Sequence, residues 1–219
     1  MDRILETELM NEPEQAIAYA QADFNDPHSM FIDLFRQRFP NDRIDGRVID
    51  LGCGPADISI RFAKAFPECQ IDAVDGAEQM LEQAEIALRK EHLQGRICLV
   101  KTALQEMTLP RDEYAIIISN SLLHHLHDPD VLWNCIKNLA SESIVFIMDL
   151  MRPHTLLDVE RLVDNYAAEE PEILQRDFHH SLCAAFRPEE VEVQLTDAQL
   201  ESLKVEIVSD RHLIIYGRY

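Results

Sequence analysis

The sequence predicts an α/β fold built on a mostly parallel sheet, and three observations predict it. The apolar run Val48-Ile49-Asp50-Leu51 meets Gly52-Cys53-Gly54 and then a helical pattern with Ile58, Phe62, Ala65 and Phe66 on one face. That succession is a buried strand, a tight turn and a helix start. Further apolar runs at 70–74, 97–100, 114–118 and 143–149 are separated by helical patterns, as parallel strands with crossover helices require. The closing runs, 205–209 and 212–217, are separated only by Asp210-Arg211, a connection that fits an antiparallel hairpin at the sheet edge.

A chain of 219 residues suits one domain, 1–219, with a sizeable core. The formal charge of −20 argues against a nucleic-acid partner, which needs a basic footprint. No apolar run reaches the ~18 residues of a membrane span, so no membrane partner is expected. Met1–Glu6 has neither the basic nor the apolar region of a secretory signal. The five cysteines (Cys53, Cys69, Cys98, Cys135, Cys183) are scattered and show no C-x-x-C, which fits reduced thiols in the cytoplasm.

Taken in order, residues 1–45 read as a helical preface. One helix covers Glu12 to Ala22, Asn25-Asp26-Pro27 breaks it, and a second carries Met30, Phe31, Leu34 and Phe35 towards Pro40. In the turn after strand one, Gly52 and Gly54 lack a Cβ, so a ligand can lie directly on backbone. The following helix aims free N–H groups and its positive end at that ligand. Strand two, 70–74, ends in Asp75-Gly76, roughly the distance beyond the turn at which an α/β cofactor fold places a ribose-binding acid. A cap on the helix from Ala77 is the other reading of Asp75, and two acids ending successive strands favour the ribose role. The next helix carries Met80, Leu81, Ala84, Ala87 and Leu88 inward, with Met80 either core or near a base. Strand three, 97–100, leads to Lys101-Thr102-Ala103-Leu104, and strand four, 114–118, to Ser119-Asn120-Ser121-Leu122-Leu123-His124-His125-Leu126-His127-Asp128-Pro129. A helix from Asp130 carries Val131, Leu132, Cys135, Ile136 and Leu139 to the sheet, and strand five follows at 143–149. Roughly fifty residues then precede strand six, far more than a crossover needs. They read as a helical cap insertion, 152–200, with helices at Thr155–Ala168, Pro171–Ala185 and from Pro188.

Asp50-x-Gly52-x-Gly54-x-Ala56 resembles motif I of the class I S-adenosylmethionine-dependent methyltransferases, (D/E)-x-G-x-G-x-G, with alanine in the last place. Alanine is a mild loss, because that position mainly serves close packing and alanine is the next smallest side chain. A dinucleotide turn would want glycine at 57, where Asp57 would instead face a pyrophosphate. The segment after strand four looks like the S-N-x-x-L-H-H-L stretch of the small-molecule methyltransferases related to those of ubiquinone and menaquinone synthesis. The resemblance covers 40–219 and implies a Rossmann-like, seven-stranded sheet in the order 3-2-1-4-5-7-6. It implies S-adenosylmethionine as cofactor, S-adenosylhomocysteine as product, and a small-molecule methyl acceptor. By that resemblance Asp50, Gly52, Cys53 and Gly54 receive the methionine end, and Asp75 and Gly76 the ribose. Met80, Thr102, Ala103 and Leu104 edge the adenine, with Thr102 standing where the family often has aspartate, and Asn120 and Ser121 floor the methyl site. N-terminal helices lie over the cofactor in that family, with Tyr19 and Phe24 the pocket-facing residues here.

By the same resemblance His125 falls near the methyl group and is the candidate catalytic residue, either as a base, since an imidazole takes a proton near neutrality, or as a wall that shapes the pocket. His124 reads as a polar residue at a helix start whose loss should matter little. Three histidines in four residues lack a further ligand at recognised zinc spacing, so no metal is expected. Ser119 and Asn120 supply no carboxylate for a magnesium-dependent catechol-type enzyme, and the (D/N)-P-P-(Y/F) grip on an extruded base is missing. The cap residues Arg152, His154, Tyr166, Asp177, His179, His180 and Arg187 are candidates to meet substrate, most of them expected on a solvated face. The expected function is metal-independent methyl transfer to a small molecule. The alternatives are a noncatalytic S-adenosylmethionine-binding or interaction protein and a protein side-chain methyltransferase.

Overall fold

The computed structural model describes residues 1–6, 9–106, 111 and 113–219. Its seven strands are β1 (Gly46–Leu51), β2 (Cys69–Asp75), β3 (Ile97–Lys101), β4 (Tyr114–Asn120), β5 (Ala140–Leu150), β6 (Lys204–Ile207) and β7 (His212–Arg218). They form one sheet in the order β3-β2-β1-β4-β5-β7-β6. The first five run parallel, and β7 lies antiparallel to both β5 and β6. The chain therefore has the class I methyltransferase fold.

Period-two side-chain alternation explains why the central strands are apolar throughout. Val48, Ile116, Ile118 and Phe146 face one layer, packed by helices α2 (Asn25–Arg38) and α3 (Asp57–Ala65). Ile49, Ile117, Val145 and Ile147 face the other, packed by α5 (Asp130–Leu139) and α8 (Pro188–Asp197). The first layer holds an aromatic nest in which Phe35 meets Phe62 at 4.9 Å and Phe146 at 5.5 Å, edge to face. Each such buried ring contributes about 1.5–3 kcal/mol relative to exposure.

Helix α1 (Pro13–Gln21) meets α4 (Glu78–Glu91) through a small cluster of Ala16, Ala77 and Met80. The sequence predicts a break at Asn25-Asp26-Pro27, and the structure starts α2 there instead. A proline in the first turn forfeits only an N–H that has no intrahelical partner. The hairpin differs too: β6 ends at Ile207, and residues 208–211 make the turn. Val208 N–H and Ser209 N–H both donate to His212 O, at 3.0 and 3.3 Å, and His212 N–H donates to Ser209 Oγ at 2.9 Å. The cap helices α6 (Leu156–Tyr166) and α7 (Glu172–Ala184) share a separate cluster of Leu150, Val159, Leu162 and Leu182.

Candidate functional site

The site lies where β1 separates β2 from β4, at the carboxyl ends of the three strands and at the reversal of strand order. The turn after β1 is built from left-handed backbone, with φ of +71° at Gly52, +51° at Gly54 and +66° at Ala56. Gly52 N–H and Cys53 N–H both donate to Val74 O at 2.9 Å, which fastens the turn to β2. A Cβ on Gly52 would stand 2.7 Å from Leu122 Cδ1, so a side chain there would have to displace Leu122 as well as hold an unfavourable φ. A Cβ on Gly54 would meet nothing within 4 Å, because that residue opens onto a cavity. Ala56 corrects the packing account of the motif's last position. The backbone there is left-handed, so glycine would serve conformation too, and alanine holds it under strain.

At the tip of β2, Asp75 accepts from Gly54 N–H through Oδ2 at 2.8 Å and from Ala77 N–H through Oδ1 at 2.7 Å. It therefore ties two loops together while lining the cavity. Burial pushes its carboxyl up from the ordinary range, and the backbone donors oppose that. Asp50 is buried and accepts from Ser59 Oγ at 2.5 Å. Burial pushes its carboxyl up to about 7. Cys53 is likewise pushed up by burial and stays a neutral thiol. Two desolvated acids flanking one glycine turn suit a ligand that brings hydroxyl and cationic groups.

The cavity measures about 480 Å³, within the usual size of a small-ligand site. Asp50, Gly52, Cys53, Gly54, Asp75, Gly76, Met80, Thr102, Ala103, Leu104, Asn120, Ser121 and His125 all line it. Met80 does so while packing against Ala16 and Ala77. Ser121 is left-handed at φ +55° and gives its N–H to Met148 O at 2.9 Å, which turns the chain away from β4. Asn120 Nδ2 donates to Ser121 Oγ at 3.2 Å, and Asn120 Oδ1 is buried without a hydrogen-bond partner among the described residues. Tyr19 and Phe24, stacked at 4.7 Å, join the wall from the N-terminal helices. Burial pushes the Tyr19 phenol up to about 12.

His28 stands beside them and donates from Nδ1 to Asp57 Oδ2 at 2.6 Å, while Arg61 Nε donates to the same oxygen at 2.6 Å. Burial alone would raise Asp57, but these two partners hold it below the ordinary range. The charge expected to oppose a phosphate at 57 is thus already compensated, by Arg61 at the i,i+4 spacing of one helix and by His28 from another helix, a link that no spacing rule reveals.

After β4 comes a short 3-10 turn, Leu123–His125. Asp149 of β5 accepts from Leu123 N–H at 2.6 Å and from His124 Nδ1 at 2.5 Å. Asp149 and His124 are both buried. Burial pulls His124 down, and Asp149 more than offsets this, leaving it above the usual imidazole range. His124 is thus a buried ion-pair member, which corrects the expectation of a dispensable polar residue. On the far side Glu6 Oε1 lies 3.6 Å from His124 Nε2 and 3.2 Å from His125 Nδ1. Only the acid at the end of strand five hinted at Asp149, and nothing in the sequence hinted at Glu6.

The cap candidates Arg152, His154, Tyr166, Asp177, His179, His180 and Arg187 do not line this cavity. Arg152 is buried and donates to Ala185 O at 3.0 Å and Glu190 Oε1 at 2.5 Å. Tyr166 donates to Asp210 at 2.8 Å, Asp177 accepts from Gln15 at 2.7 Å, and Arg187 helps cap α8. Arg152 and Arg187 thus serve the cap's own structure, while Tyr166 and Asp177 tie it to the hairpin turn and to α1.

Residues 48–141 match a family profile described as a methyltransferase domain. The chain is 32% identical over 88 residues to an uncharacterized methyltransferase of Schizosaccharomyces pombe, covering 38% of this chain and 32% of that protein. It is 33% identical over 100 residues to a malonyl-[acyl-carrier protein] O-methyltransferase of Bacillus cytotoxicus, covering 45% of this chain and 33% of that one. The chain thus spans about a third of the length of these curated relatives. Its fold is similar to the plantazolicin methyltransferase BpumL solved with a triazolic desmethylPZN analogue and S-adenosylhomocysteine, with TM-score 0.68, 14% identity, and 95% and 92% of the two chains covered.

Proposed function

We propose that this chain, whose residues 48–141 carry a methyltransferase domain on the class I methyltransferase fold, is an S-adenosylmethionine-dependent methyltransferase acting on a small-molecule acceptor. One observation carries the reading. A buried carboxyl, Asp50, and a part-buried one, Asp75, end adjacent strands on either side of the Gly52–Gly54 turn and line one cavity. The cofactor fits that wall on two counts: the space over Gly54 is open, and Asn120 Oδ1 is a buried acceptor without a partner among the described residues.

S-adenosylmethionine, when bound, supplies a methyl group already activated by its sulfonium. The chain's part is to bind, orient and exclude water. Asp50, Gly52, Cys53 and Gly54 hold the methionine end, and Asp75 and Gly76 hold the ribose. Met80, Thr102, Ala103 and Leu104 border the adenine. Asn120 and Ser121 form the floor of the methyl site. Tyr19 and Phe24 close the cavity from above and keep it dry. His125 faces the acceptor and takes up the proton that an O–H, N–H or S–H nucleophile loses. Because the methyl arrives activated, no metal is assigned to the reaction. We read 1–219 as one domain, with 1–45 and 152–200 added to the core. Free thiols at all five cysteines support a cytoplasmic location.

The test is transfer of labelled methyl from S-adenosylmethionine into a low-molecular-mass metabolite extract. A labelled small product from the wild-type chain is expected. Cofactor binding without any transfer would leave a ligand-binding protein instead, and label appearing only in protein would move the acceptor to a side chain. Asp75→Ala should weaken cofactor binding at least about tenfold by titration calorimetry, since hydrogen bonds to an ionised group are worth roughly 1.5–3 kcal/mol each.

A further inference from the structure

We propose that Glu6 is the positioning residue of the acceptor side: the N-terminal segment carries its carboxylate onto the histidine turn, where it holds the proton of His125 on Nδ1. This deepens the reading of His125 given above and rests on it.

The segment is fastened at both ends of the gap it crosses. Arg3 donates to Ala184 O at 2.5 Å, to His124 O at 3.0 Å and to Leu126 O at 2.7 Å, and its guanidinium lies over the Phe186 ring at 3.8 Å. Ile4 N–H donates to Cys183 O at 3.0 Å. The end of α7 and the histidine turn are therefore strapped together by the residues just before Glu6. A carboxylate buried in such a place must find donors, because desolvation penalises its charge. The Glu6 side chain is only 11% exposed. Its Oε2 accepts from Ser181 Oγ of α7 at 3.3 Å. Its Oε1 faces the two imidazoles.

These imidazoles are not equivalent. Asp149 holds His124 through Nδ1 at 2.5 Å and grips Leu123 N–H with its other oxygen, so the orientation of His124 is set from the sheet. His125 has its Nδ1 3.2 Å from Glu6 Oε1, within ion-pair range but not aligned as a hydrogen bond, and it is His125 that reaches the cavity wall. A carboxylate at Nδ1 stabilises the tautomer protonated there and leaves the imidazole lone pair on Nε2. Carboxylate–imidazole pairs orient a base in this way, and their contacts are commonly loose before the substrates are bound. Glu6 thereby selects the nitrogen that serves the acceptor.

The test reads the tautomer directly and needs no acceptor. Wild-type chain with ¹⁵N-labelled histidine, Glu6→Gln and Ser181→Ala are compared at neutral pH by two-bond ¹H–¹⁵N correlation spectra. The wild type should show His125 protonated on Nδ1. Glu6→Gln should shift it towards the Nε2–H form while His124, held by Asp149, keeps its pattern. Ser181→Ala, which removes only the donor to Oε2, should move the same resonances in the same direction and replaces Glu6→Gln should that variant fail to fold. A His125 pattern unchanged by both substitutions overturns the proposal. One equivalent of zinc bound from added ZnCl₂ by the wild type and lost in Glu6→Gln also overturns it, because Glu6 would then be a metal ligand. Failure of labelled transfer by the wild type counts against the methyltransferase reading and leaves the spectra to decide on Glu6 separately.

Discussion

Asp50 carries the consequence of burial most directly. Its carboxyl titrates at about 7 in the folded chain because no cation faces it and desolvation dominates. A carboxyl raised in this way keeps its proton in the native state, so its contribution to stability falls as pH rises from the ordinary carboxylate range towards 7. A cationic ligand reverses the balance by favouring the ionised form. Calorimetric affinity for S-adenosylmethionine should therefore rise between about pH 6 and 8, with proton release on binding, and Asp50→Asn should flatten that dependence. A wild-type affinity independent of pH would show that the ligand's charge lies elsewhere. Ala56 offers a second measurement at this scale. Left-handed backbone costs an L-residue roughly 1–2 kcal/mol, so Ala56→Gly should recover part of it as a raised urea midpoint. No gain would mean that the turn's hydrogen bonds set the strain instead. The acids and glycines of this site were legible in the sequence because their spacing follows from the strand–turn–helix unit. The φ of Ala56 was not, since a small residue there satisfies packing and conformation alike.

The histidine turn shows what an element hides from its own sequence. His124 reads locally as a polar residue at a helix start, whereas β5 supplies the carboxylate that pairs with it in the interior. Removing His124 would strand Asp149, 1% exposed, without its counter-charge. Breaking a buried pair from one side typically costs 3–5 kcal/mol, so His124→Ala should lower stability by about that much in urea unfolding. A loss below about 1 kcal/mol would return His124 to the status of a surface residue. Pairing with Asp149→Asn in a double-mutant cycle should show strong coupling. The strands themselves were legible because both faces of a central parallel strand must be apolar, as at 116–118, where Ile116 and Ile118 face one layer and Ile117 the other. The N-terminal segment was not, since extended chain that bonds to residues more than a hundred positions away leaves no periodic trace. The start of α2 was misread for a related reason: a proline near a helix end looks the same to pattern reading whether it breaks one helix or begins the next.

At the scale of the whole molecule the deciding quantity is charge. Forty acidic residues stand against twenty basic ones, giving −20 with neutral histidines. Many of the basic groups are already engaged: Arg61 with Asp57, Lys64 with Glu91, Lys101 with Glu78, Arg38 with Glu206 and Arg218 with Asp42. A nucleic-acid surface works by releasing counterions from phosphates onto unpaired lysine and arginine, and each internal pair subtracts one such contact. In the cavity the acids Asp50, Asp57 and Asp75 stand against Arg61, already bound to Asp57, and Lys90. The same field lowers the concentration of anionic molecules around the chain and raises that of cationic ones. In gel-shift titrations at about 0.15 M salt, neither tRNA nor duplex DNA should bind in the range of roughly 10⁻⁴–10⁻⁶ M typical of nonspecific binders. A micromolar shift with tRNA that weakens as salt rises would mean that a local basic face outweighs the mean charge, and the acceptor would then have to be sought among nucleic acids.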